Sequence, residues 1–80
     1  MAEQQETLDL LKEAFMADQR FKIEQTHRHA DEKGYILNTQ LAAIKDVHKV
    51  YQALGGDSYA DSIMEHIEAL PIKYDERFNI

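Results

Sequence analysis

Helix-stopping residues occupy few places in this chain, and those places divide it. Gly34, Gly55, Gly56 and Pro71 are its only glycines and its only proline, and they fall between stretches in which apolar residues recur every three or four positions. The spacing predicts an all-α protein: a small three-helix domain, residues 1–80, with a long first helix packed on an antiparallel helical hairpin. Helix 1 is expected over about 6–33, helix 2 over about 39–54, helix 3 over about 58–70, and a short extended C-terminal tail over 71–80. Gly34 suits a left-handed cap, with Tyr35 and Ile36 folding back beyond it. Asn38 or Thr39 offers an N-cap oxygen for helix 2, and Gly55-Gly56 ends that helix without Cβ strain. Asp57 or Ser58 opens helix 3, which Pro71 closes by biasing Leu70 away from helical geometry.

The predicted helices differ in how their apolar residues are arranged. On helix 3, Tyr59, Ala60, Ile63, Ile67 and Leu70 share one side, and Asp57, Asp61, Glu65 and Glu68 share another. Helix 2 has a wider apolar arc of Leu41, Ala43, Ile44, Val47, Val50, Tyr51 and Leu54, leaving Lys45, Asp46, Lys49 and Gln52 for solvent. Helix 1 carries two seams on nearly opposite sides. One holds Leu8, Leu11, Phe15, Ile23, Thr26 and Ala30; the other holds Leu10, Ala14, Ala17 and Phe21, at the four-three-four spacing of a helix–helix contact. A two-helix hairpin can cover only one of them, so the second calls for the tail, another copy or a different protein. The competing expectation is a break near Asp18-Gln19-Arg20 that lets the two halves pack separately.

Composition bears on how much this chain can bury. Its 80 residues are 44% hydrophobic, enough for a core, but a domain of this length buries only about 60% of its unfolded surface and is marginal by itself. There is no cysteine, which removes disulfides, thiolate metal sites, iron–sulfur clusters and cysteine nucleophiles. The opening residues MAEQQETLDL lack the pattern of a signal or transit peptide, and no segment approaches the ~20 apolar residues of a membrane span. A cytoplasmic location without membrane partners is expected.

Fifteen acids against nine bases give a net charge of −6, unevenly spread. Residues 1–18 carry a net −4, and so do residues 56–70, which contain no Lys or Arg. The repeat Asp57, Asp61, Glu65 sets like charges one turn apart, and each such pair costs a few tenths of a kcal/mol. A basic partner surface would relieve that repulsion; a solvated face whose first acids favour the helix N-terminus accounts for Asp57 and Asp61 but not for Glu65 or Glu68. Helix 2, the Gly-Gly turn and helix 3 imitate a helix-turn-helix, yet a recognition helix without a base repels phosphate, so no direct nucleic acid binding is expected. Arg20, Lys22, Arg28 and Lys33, with His27 and His29, form a small basic region on helix 1 interrupted by Glu24, Asp31 and Glu32.

Catalytic and metal constellations are thin. Glu24, His27 and Asp31 lie on one face at the Glu-x-x-His spacing of helical di-metal carboxylate sites, but no second such motif exists, and only a symmetric oligomer could complete one. His27 and His29 diverge by about 160° around the helix, which is wrong for a shared ion. His48 and His66 read as structural, Ser58 as a cap and Ser62 as surface, and three short helices offer little concave volume. We therefore expect no enzyme, no cofactor and no bound metal. In the tail, Ile72, Tyr74, Phe78 and Ile80 need burial, by docking on the chain's own bundle or in a partner's groove.

Together these features lead to an expected protein–protein interaction module, an adaptor or inhibitor that also forms a homo-oligomer. Its partner is another protein with a basic surface. Leu10, Ala14, Ala17 and Phe21 would supply the apolar contacts, and Asp57, Asp61, Glu65 and Glu68 the electrostatic match; in one version the stripe mimics nucleic acid. Small acidic helical proteins of mobile elements supply an analogy. Two alternatives stand beside it: a structural subunit of a larger particle such as a packaging ring, and an oligomeric helical metal-binding protein.

Overall fold

The structure, a computed structural model, describes residues 2–75, with side chains from residue 4 onward. Three helices dominate it: α1 over Ala2–Lys33, α2 over Asn38–Ala53 and α3 over Ser58–Glu68. Two short strands, β1 (Ile36–Leu37) and β2 (Ile72–Lys73), pair in parallel, with Ile36 opposite Ile72 and Leu37 opposite Lys73. The all-α expectation holds, and the small sheet is an addition to it.

α1 runs unbroken through Asp18-Gln19-Arg20, so the competing expectation of two separately packed halves fails. It has neither Gly nor Pro between its ends, and the Lys22–Asp18 ion pair at 3.3 Å ties successive turns across that very region. At 1.5 Å per residue its 32 residues extend about 48 Å, which accounts for most of the longest molecular dimension of 52 Å. The helix begins about a turn earlier than the apolar spacing predicts, because Glu and Gln propagate a helix without adding to its periodicity.

The core sits against α1 from Met16 onward. Ile23 and Ala30 meet Leu41, Ile44 and Tyr51 of α2 and Ala60, Ile63, Met64 and Ile67 of α3, with Ile36 of β1 closing one end. Gln19 is also buried, and Met16 packs at the edge. The seam predicted to lie under the hairpin is therefore covered only where it holds Ile23, Thr26 and Ala30; Leu8, Leu11 and Phe15 project past the hairpin into solvent. The cause is length. The 16 residues of α2 and the 11 of α3 reach about 24 Å and 17 Å, roughly half of α1 or less. Within the expected faces, Tyr59, Ala43 and Val50 are exposed, and Met64, absent from the predicted face, is buried.

Helix ends follow local chemistry with one correction. Gly34 adopts φ of +82°, and the Gly34 and Tyr35 N–H groups both donate to the Ala30 carbonyl. Gly55, at φ +93°, and Gly56 end α2 with the paired bonds of a Schellman motif, Gly56 N–H to Tyr51 O at 2.9 Å and Gly55 N–H to Gln52 O at 3.0 Å. A Cβ at Gly56 would run into the Tyr51 ring. Asp57 caps α3 as expected, its carboxylate accepting from the Ala60 N–H at 3.2 Å. At α2 the capping position falls on Leu37, so neither Asn38 nor Thr39 is the N-cap. Gln40 reaches back to accept from the Leu37 N–H at 3.3 Å, and the Asn38 side chain is used elsewhere. α3 stops at Glu68, short of the expected Leu70, because Leu70 N–H tightens onto Ile67 O ahead of Pro71.

Through residue 75 the tail docks on its own chain. The Ile36 N–H donates to Pro71 O at 2.9 Å, the Asp75 N–H donates to Asn38 Oδ1 at 2.8 Å, and Lys73 Nζ lies 4.1 Å from the centre of the Tyr35 ring. Asp75 is buried, whereas Ile72 and Tyr74 stay exposed. Phe78 and Ile80 lie outside the described residues.

Candidate functional site

The hairpin leaves the first half of α1 as a rod. From residue 4 to residue 18 only Met16 is even half-buried. Leu8, Leu10, Leu11 and Phe15 on the rod, and Phe21 where it meets the folded head, are 45–65% exposed. Single exposed apolar residues are ordinary, but five large ones along 14 consecutive helical residues are a concentration of exposed apolar area. They fall on two sides. Leu8, Leu11 and Phe15 are centred roughly 65° to one side of the buried stripe of Gln19, Ile23 and Ala30, and Leu10, Ala14, Ala17 and Phe21, all four exposed, lie on the far side of the helix. At about 100° per residue, the second seam is centred roughly 170° from the stripe of Gln19, Ile23 and Ala30.

The acidic stripe is less uniform than its spacing predicts. Asp57 is occupied by capping and stands 4.0 Å from the Arg20 guanidinium, a long and half-exposed pairing. Asp61 accepts from His48 Nε2 at 2.7 Å and from Gln52 Nε2 at 3.0 Å, binding α3 to α2. The His48 hydrogen bond first, and the Gln52 bond after it, hold the Asp61 carboxyl below its ordinary value. Glu65 and Glu68 are the exposed remainder of the stripe. Two of its four acids thus serve the fold, and two face solvent.

The histidines separate by position. His48 is the structural residue expected of it, through Asp61. His27 and His66 meet edge to face with ring centres 5.7 Å apart, a contact between α1 and α3 that linear spacing does not show. Beside them Glu24, Arg28 and Asp31 line an open groove of about 310 Å³ with Tyr59 and Ile63. Among the described residues no three His, Asp or Glu side chains converge as metal ligands do. No helix of the described residues is long and apolar enough to cross a membrane.

Sequence spacing finds both seams of α1. It misses that the rod exposes them together, and the signal for that lay in the unequal helix lengths. No known protein family matches this chain, and neither does any curated protein or solved structure.

Proposed function

We propose that this protein is a non-catalytic, cytoplasmic interaction module that binds another protein through the projecting half of α1. One observation carries the reading: a helical rod on which Leu8, Leu10, Leu11 and Phe15 are all exposed, with no described side chain from residue 4 to residue 15 buried. Holding such a surface in water costs roughly 25 cal/mol for each Å² of apolar area that a partner could cover. Residues 1–18 carry a net −4, so the fitting occupant is an apolar groove with basic side chains on its rim. Glu65 and Glu68 can extend that electrostatic match; Asp57 and Asp61, being engaged within the fold, contribute less.

Affinity capture from the native host, quantified by mass spectrometry, tests the reading. The unaltered chain should retain one partner in near-stoichiometric amount, Phe15→Asp and Leu11→Asp should each lose it, and Glu65→Lys should weaken it only at low salt. Identical captured sets from the unaltered chain and from Phe15→Asp end the proposal.

A further inference from the structure

The second seam of α1 carries a self-association site, and this inference rests on the reading of α1 as a binding element. We infer that two copies of the chain pair antiparallel along α1, with Leu10 of one copy against Phe21 of the other and Ala14 against Ala17. Three observations lead there. The first is order: read from either end, the exposed seam runs large, small, small, large, so reversing the second copy sets each large residue against a large one and brings the alanines together at the centre. A contact that matches itself on reversal is what a two-fold axis requires.

The second observation is charge. Residues 1–18 carry a net −4, whereas residues 19–33 hold four Lys and Arg against three acids, with His27 and His29 besides. Antiparallel pairing lays the acidic half of each helix along the basic half of the other; parallel pairing stacks −4 on −4. In the register fixed by Leu10 and Phe21, Glu13 of one copy flanks Arg20 of the second, twice by symmetry. Arg20 can turn to meet it, since its own-chain contact to Asp57 is 4.0 Å long and half-exposed.

The third observation is access. The seam lies on the side of α1 away from the stripe that α2 and α3 bury, so a second helix can run along it without displacing the hairpin. The rod, of whose described side chains from residue 4 to residue 15 none is buried, then gains a neighbour along its length. Two large side chains and two alanines per copy make a small apolar centre, so dissociation on the order of 10 µM is expected, not the tight association of an obligate dimer.

Sedimentation of the full chain from about 1 µM to about 300 µM, which brackets that constant, reads the association. A monomer–dimer equilibrium is expected. Phe21→Asp should raise the dissociation constant at least about 30-fold, since the residue enters the contact twice, once in each large Leu10–Phe21 layer that flanks the central alanines. Glu13→Arg or Arg20→Glu alone should weaken pairing by about threefold, and the two together in one chain should restore it. Orientation is read by cross-linking in this cysteine-free chain. Antiparallel pairing sets Thr7 opposite Glu24 and holds the two Thr7 positions about 25 Å apart. A mixture of Thr7→Cys and Glu24→Cys chains should cross-link, and Thr7→Cys alone should not. A monomer at every concentration overturns the inference, as does a Thr7→Cys homodimer. If such a monomer still loses its captured partner on Phe15→Asp, self-pairing alone has failed and the interaction reading stands.

Discussion

Asp61 stands in the acidic stripe by sequence and in the fold by contact. Its carboxyl is held below the ordinary range by His48 and then by Gln52, so the ionised form favours the folded state. That contribution is complete above about pH 4, where the unfolded carboxyl is already ionised, and is lost as pH falls through the lowered folded value. Asp61→Asn should therefore flatten the loss of urea resistance on acidification below about pH 4. An acid limb identical to that of the unaltered chain would show that the pair carries no stability. Burial separates the leucines and isoleucines of α1 as sharply. Ile23 is fully buried and Leu11 is largely exposed. Ile23→Ala should cost about 2–5 kcal/mol and Leu11→Ala less than about 0.5 kcal/mol in denaturant titrations, although both belong to one sequence seam.

Within single elements, the two ends of α1 should differ in stability. Its second half contributes Gln19, Ile23 and Ala30 to the core, while residues 4–15 bury no side chain. Most helical stability in proteins comes from packing, and an isolated helix of about 12–15 residues is marginal in water. Amide exchange should be fast over residues 4–14 and slow over 19–30 at low protein concentration, with the fast half gaining protection as concentration rises through the dimer constant. Equal protection along the whole helix in a dilute sample would contradict this account of the rod. These halves also mark how far the sequence could be read. Periodicity, Gly34, Gly55-Gly56 and Asp57 report local backbone preferences, so helix number, order and most ends were legible. Where a hairpin docks along a longer helix depends on which contacts win in three dimensions, and Leu8 and Ile23 carry the same local signal. The Asn38 bond to the Asp75 N–H and the pairing of β1 with β2 join residues more than 30 positions apart, beyond the reach of any local pattern. Of the candidate site, the Leu10–Phe21 seam was visible in spacing. The diversion of Asp57 and Asp61 was not, since it required their neighbours in space.

For the whole molecule, the rod changes shape more than it changes stability. The radius of gyration is 15.2 Å, against about 12 Å for a compact chain of this length, and the molecule measures 52 × 27 × 18 Å. Elongation of this kind exposes apolar surface that the head gains nothing from, and it places that surface where a second chain can reach both sides. Stability and association should consequently come apart when the rod is removed. Deleting residues 1–14 takes away Leu8, Leu10 and Leu11 but leaves Met16, Gln19 and Ile23 against the hairpin. The melting temperature measured at a dilution where the unaltered chain is monomeric should then move by less than about 4 °C, the shift that roughly 0.5–1 kcal/mol produces in a domain of this size. The dimer, however, should vanish at every concentration, because half of each Leu10–Phe21 contact has gone. A head that unfolds on this deletion would mean that the rod supports its own hairpin through contacts absent from the fold described above. A shortened chain that still dimerises would move the contact off the rod, onto the groove beside Tyr59 or the exposed Ile72 and Tyr74 of the tail.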